Sequence, residues 1–201
     1  MTIDHHPILL LVALENELKA ITIPKKIKVA YTGIGKINAA TETQSAIIQY
    51  QPSLIINFGT AGGINPKLSG LVTIQRVIQR DMNAQPLAPR GVTPFCQKPA
   101  EYVSQSGKHT CGTGDSFVTS RDPWLIEQKV DVVDMELFAI AALAHQHQIP
   151  WRSYKFISDA ADDQAGEQWH KKINHGEELF LEELKQLLAW SHSYLIDSLF
   201  C

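Results

Sequence analysis

Short apolar, β-branched runs alternate with segments of helical periodicity along most of this chain. Four stretches that follow such runs end in carboxylates or glycines: Ala13-Leu-Glu-Asn-Glu17, Asn57-Phe-Gly-Thr-Ala-Gly-Gly63, Val133-Asp-Met-Glu136 and Phe156-Ile-Ser-Asp159. Alternating strands and helices predict a largely parallel sheet with helices on both faces. In such sheets ligands sit in the crevice beyond the carboxyl ends of the strands. Three acidic strand ends and one Gly-rich turn therefore predict a single catalytic pocket.

Ile8 to Leu14 reads as a buried strand, because a near-continuous apolar run is covered on both faces. Strands are also predicted at Lys28 to Thr32, Ser53 to Phe58, Gly70 to Arg80, Val130 to Val133 and Trp151 to Ile157, with a short one near Lys108 to Gly112. Helices are predicted at Asn38 to Tyr50, Glu136 to Gln148 and Glu177 to Leu199. Pro52 and Pro150 bound the first two. Asp81 to Pro99 holds four of the ten prolines and reads as a long loop. Loops of that length in compact domains are usually functional or disordered. No repeat, linker or low-complexity stretch breaks the chain, so residues 1–201 read as one domain.

A composition of 44% hydrophobic and 19% charged residues is that of a globular protein with a real core. The net charge of -3 favours neither a nucleic acid nor an anionic membrane, both of which call for a basic face. Cys96, Cys111 and Cys201 are an odd number without metal spacing, as expected of free thiols in a reducing cytoplasm. The first apolar run is too short to span a bilayer and has no signal-peptide pattern.

Gly33-Ile34-Gly35-Lys36 lacks both the phosphate-loop spacing and the third glycine of a dinucleotide fingerprint. His145 and His147 stand two apart on a predicted helix and so face different ways. The histidines at 5, 6, 170 and 175 have no ligand spacing, and no G-x-S-x-G elbow or nucleophilic cysteine context is present.

The acidic stretches form an ordered set with Thr32-Gly-Ile-Gly-Lys-Ile-Asn-Ala-Ala40, Thr113-Gly-Asp-Ser-Phe117 and Ser158-Asp-Ala-Ala-Asp162. In this order they resemble the nucleoside phosphorylase/nucleosidase superfamily, most closely its hydrolytic branch, the 5′-methylthioadenosine/S-adenosylhomocysteine nucleosidases. The resemblance runs from about Ile8 to Leu187. It implies a three-layer α/β/α fold with a central, mostly parallel mixed sheet, here in a shortened form. It implies hydrolysis of an adenine nucleoside with no metal and no cofactor, by a cytoplasmic homodimer.

Residue by residue, the resemblance makes Glu17 the activator of water, Asp159 the acid at the purine and Glu136 the holder of the ribose hydroxyls. Met135 would pack on the sugar, Phe117 would stack on the purine and the Val118 backbone would read the base edge. Thr60 and Gly62 would line the pocket, Ile34 would lie near the 5′ substituent, and Trp169 would cap the pocket. Apart from the resemblance, Ala160 to Lys172 is polar and contains a glycine, so Trp169 is expected to close from a mobile segment. The Asp81 to Pro99 loop is expected near the pocket mouth and a dimer interface.

The chain departs from the family pattern at four places. Between Glu17 and Gly33 it is shorter than typical members and lacks a hairpin. The stretch before Thr113 is short and lacks a helix. Lys155 stands where bacterial members commonly carry Arg, and Asp134 where many carry Glu.

The chemistry calls for the same residue types independently. Breaking an N-glycosidic bond leaves positive charge on the sugar and negative charge on the base. An acid at a purine nitrogen makes the base a tolerable leaving group, and burial helps such an acid keep its proton. A carboxylate at the sugar stabilises the cation and orients or deprotonates water. A phosphorylase needs cationic forks for phosphate. The resemblance implies where those forks would stand, since phosphorylases of the superfamily place Arg in the first loop and just before the glycine run; this chain carries there Glu15, Glu17 and Phe58, so water is the expected nucleophile. A phosphorylase and a non-catalytic nucleoside-binding protein are the competing readings.

Overall fold

A computed structural model describes residues 6–120 and 122–197, with side chains as far as residue 189. Strands β1 (Ile8–Val12), β2 (Ile27–Tyr31) and β3 (Leu54–Gly63) carry the first half of the sheet, with helix α1 (Lys36–Tyr50) crossing between the last two. β4 (Leu71–Gln79), β5 (Glu101–Val103), β6 (His109–Thr113), β7 (Val132–Asp134) and β8 (Trp151–Asp159) complete it. Helices α2 (Pro123–Glu127), α3 (Leu137–Gln146), α4 (Ala165–Lys172) and α5 (Glu177–Asp197) follow in chain order.

β1 lies parallel between β2 and β3, which explains its unbroken apolar sequence. Successive strand side chains point to opposite faces. Leu9, Leu11 and Ile55 therefore pack with Ala39, Ala46 and Ile47 of α1 and Leu137 and Ile140 of α3. Leu10, Val12, Ile56 and Phe58 pack on the other face with Phe180 and Leu184 of α5. Phe58 stacks on Phe180 with ring centroids 4.4 Å apart. These two cores join the sheet to the helical layers on its two faces, which makes the arrangement α/β/α.

The sheet is mixed. Most pairings are parallel, while β3·β7, β4·β5 and β4·β8 are antiparallel. β8 pairs with both β3 and β4, so the pairings run β3–β7–β6–β4–β8 and return to β3. The sheet thus closes into a small ring, with β1 and β2 extending from it. This closure, absent from a simple open sheet, brings the ends of β3, β7 and β8 together.

The expected turn at Asn57 to Gly63 is not a turn: β3 continues through it to Gly63. Glycines are permissive of turns but do not force them. Here they pair in the ladder, with Gly62 opposite Val133 and opposite Asp159. The segment 160–172 also holds more structure than its polar sequence suggests, since it contains α4. α2 and β5 are too short for periodicity to reveal. No regular element lies between Gln79 and Glu101, in line with a loop at Asp81 to Pro99. Between β1 and β2 there is only a 3-10 turn, Ala20–Thr22, and no hairpin. The predicted C-terminal helix is present to Asp197; its expected last residues lie outside the described part. No helix of the described residues is long and apolar enough to cross a membrane.

Candidate active site

The ends of β1, β3, β7 and β8 surround a cavity of about 250 Å³. All ten residues singled out in the sequence line it: Glu17, Ile34, Thr60, Gly62, Phe117, Val118, Met135, Glu136, Asp159 and Trp169. Glu15 does not; it is exposed on the loop after β1, so only one of the two first-loop carboxylates faces the cavity.

Glu17 is 2% exposed, and its loop folds back on itself. The Glu17 N–H donates to the Leu14 carbonyl at 3.0 Å, and the Leu14 N–H donates to Glu17 Oε2 at 3.1 Å. The Thr60 N–H and hydroxyl both donate to Glu17 Oε1 at 2.7 Å. Three donors, one from the loop after β1 and two from β3, fix the carboxylate. Gly59 lies against it, where a Cβ would rest in ordinary contact, 3.4 Å from Oε1.

Asp159 ends β8 and is 6% exposed. The Ser158 hydroxyl donates to Oδ2 at 2.8 Å and the Ala161 N–H to Oδ1 at 3.0 Å. Gly62 is required opposite it, because a Cβ at that position would lie 2.8 Å from Oδ1.

Glu136 precedes α3 and accepts the Gly35 N–H at 2.9 Å. Gly35 has φ of 93°, which favours glycine, and it opens α1. The adjoining Lys36 is latched to the far side of the mouth, its N–H on Asp115 at 2.7 Å and its ammonium on Asp81 at 2.6 Å.

Burial first, and then the Asp134 charge, push the Glu136 carboxyl up to about 7 from 4.5. Between those values the folded protein holds a proton that the unfolded chain lacks. Stability contributed by Glu136 therefore falls as pH rises through this window and is level above it. Glu136→Gln should remove that slope. Denaturant unfolding of both proteins at about pH 5 and about pH 8 should show the variant gaining relative to wild type at the higher pH.

Behind Glu136 lies a buried ion pair, Lys155 Nζ to Asp134 Oδ2 at 2.8 Å, with side chains 1% and 0% exposed. The two positions that depart from the family pattern are thus each other's partner. Asp134 also accepts the Thr113 hydroxyl at 2.6 Å, the Leu137 N–H at 2.9 Å and the Cys111 thiol at 3.3 Å. Burial alone would discharge both partners. Their mutual attraction outweighs it, holding Lys155 above and Asp134 below their ordinary values. Burial and the Asp134 charge raise the Cys111 thiol well above its usual value, so it stays protonated. Removing one partner of a buried pair leaves an uncompensated charge. Lys155→Met should therefore cost about 3–5 kcal/mol in denaturant unfolding.

The mouth is apolar. Ile34 and Phe117 are half exposed, and Trp169 meets Phe117 edge-on at 6.2 Å. The Trp169 indole N–H donates to the Thr60 hydroxyl at 2.9 Å. Trp169 therefore belongs to the cavity wall.

The sequence matches the Phosphorylase superfamily over residues 16–189. The chain belongs to that superfamily. Among curated relatives, the 5′-methylthioadenosine/S-adenosylhomocysteine nucleosidase of Staphylococcus haemolyticus is 29% identical over 199 residues, covering 87% of this chain and 81% of the relative. The nucleosidase of the same name from Bacillus subtilis is 29% identical over 185 residues, covering 78% and 79%. The solved structure of a Helicobacter pylori 5′-methylthioadenosine/S-adenosylhomocysteine nucleosidase superposes with a TM-score of 0.83 at 22% identity, covering 92% of this chain and 99% of that one. A futalosine hydrolase of the same organism gives 0.83 at 21% identity, covering 92% and 98%. At these identities the solved structures speak for the fold.

Two features of this superfamily member escaped the sequence reading. Arg80, 5% exposed, lines the cavity although it stands in no expected phosphate-binding position. Its guanidinium donates to the carbonyls of Gly112, Gly114 and Ser116 and to the Ser116 hydroxyl, holding the strand that leads to Phe117. Ser158 also lines the cavity and orients Asp159. A serine beside a strand-end aspartate was the available signal for the second; nothing local signals the first.

Proposed function

We propose that this chain is an enzyme that hydrolyses the N-glycosidic bond of an adenine nucleoside, 5′-methylthioadenosine or S-adenosylhomocysteine. One observation carries the reading: Glu17, Glu136 and Asp159 surround a single 250 Å³ cavity whose other walls are largely apolar. The names of the curated relatives support it.

In this reading Asp159 gives its proton to the purine as the bond to the sugar lengthens, and the neutral base departs. Glu136 accepts the ribose hydroxyls and opposes the positive charge growing on the sugar. Glu17 takes a proton from the attacking water. Phe117 stacks on the base, the Val118 backbone meets its edge, Met135 packs on the sugar and Ile34 lies toward the 5′ substituent. Thr60 and Gly62 shape the floor, and Trp169 closes the side. No metal or cofactor takes part.

The cations near the cavity favour water over phosphate. Lys155 is paired with Asp134, and Arg80 commits four of its five N–H groups to carbonyls and a hydroxyl. A second subunit would complete the mouth; Leu87 and Phe95, 67% and 94% exposed on the 81–99 loop, are the apolar groups to meet it.

The test is release of the free purine base, adenine from 5′-methylthioadenosine and S-adenosylhomocysteine and hypoxanthine from futalosine, in phosphate-free buffer with a chelator present. Turnover of an adenine nucleoside under these conditions is expected. Binding without turnover would leave a nucleoside-binding protein, and strict dependence on phosphate would make it a phosphorylase.

A further inference from the structure

We propose that Trp169 is a positioning residue for Glu17, acting through the Thr60 hydroxyl. The inference rests on the reading of Glu17 as the group that activates water. An indole N–H can only donate. Trp169 Nε1 lies 2.9 Å from Thr60 Oγ1, so the hydroxyl oxygen is the acceptor of that bond. The hydroxyl has one proton of its own, and Glu17 Oε1 lies 2.7 Å away. The chain of bonds therefore has one direction: indole to hydroxyl to carboxylate. Each bond polarises the next.

The consequence for Glu17 follows from counting acceptor sites. A carboxylate oxygen has two lone pairs. Oε1 takes the Thr60 N–H and the Thr60 O–H, while Oε2 takes the Leu14 N–H alone. The open lone pair is thus on Oε2, and the indole keeps it there by denying the Thr60 hydroxyl any other orientation. The preceding residue ties the same helix to the other proposed catalytic group: the Gln168 side chain accepts the Ala160 N–H at 3.1 Å, next to Asp159. α4 therefore braces β3, whose Thr60 holds the base, and the end of β8, which carries the acid, although only Ala165 of its residues is buried.

Trp169→Phe tests this, because it keeps an aromatic ring on the Phe117 side while removing the N–H together with the five-membered ring; the Thr60 variants separate the lost bond from the lost ring. A hydrogen bond of ordinary net worth predicts a fall in kcat of about tenfold with KM within about twofold. Thr60→Val should lose at least as much, Thr60→Ser should recover most of that loss, and Trp169→Phe added to Thr60→Val should cost nothing more. A second readout is independent of turnover. In the protein without substrate, the Trp169 indole proton should exchange slowly by nitrogen-edited NMR and faster in Thr60→Val. Unchanged kcat in Trp169→Phe, a change confined to KM, or additive losses would overturn the proposal. So would a fast-exchanging indole proton in an active wild type. A slowly exchanging proton in a wild type that turns over no adenine nucleoside would overturn the proposed function while leaving the bond in place.

Discussion

Asp159→Asn is expected to lower kcat by about 10²–10⁴, the usual worth of a general acid, with little change in KM or in thermal stability. The side chain can be replaced without disturbing its surroundings. An Asn oxygen can still accept the Ala161 N–H, and its amide can donate to the Ser158 hydroxyl where Oδ2 now accepts from it. What the amide lacks is a transferable proton. A substrate whose leaving group needs none, such as a nitrophenyl riboside, should therefore recover most of the rate in the variant. Near wild-type turnover of 5′-methylthioadenosine by Asp159→Asn would mean that another group protonates the base.

Glu17→Gln is expected to cost a similar factor, about 10²–10⁴ in kcat, and to be less innocent structurally. All three partners of Glu17 are donors: Leu14 N–H, Thr60 N–H and Thr60 O–H. An amide oxygen can satisfy the two at Oε1, but its NH₂ would then face the Leu14 N–H. The loop after β1 should loosen, which a modest fall in melting temperature would report. Glu17→Asp, which keeps the charge but shortens the reach, should retain more stability than Glu17→Gln and still lose rate. Wild-type rates in both variants would remove Glu17 from the mechanism.

The strand runs and the ordered motifs were legible because they are local. β1 is buried on both faces, and its sequence says so without help. The glycine run misled, since glycine marks both turns and places where other groups need space. At Gly62 the space is taken by Asp159, a side chain from a distant segment. Arg80 could not be read because its partners are carbonyls of residues 112–116, brought beside it by the β4·β6 pairing. Lys155 and Asp134 looked like two separate departures. Only the closure of the sheet, which seats β8 and β7 on either side of β3, makes them a pair. α4 was hidden for a different reason: it is only eight residues long and mostly polar, and its apolar face is as small as Ala165 and Trp169.

The identity of the sugar product tests the central claim most directly. With 5′-methylthioadenosine as substrate and excess phosphate present, a hydrolase built on Glu17, Glu136 and Asp159 releases adenine and a free reducing sugar in equal amounts. Its rate is the same when phosphate is withheld, and phosphorus NMR shows no sugar phosphate. Formation of the sugar 1-phosphate, with turnover lost in phosphate-free buffer, would contradict the account.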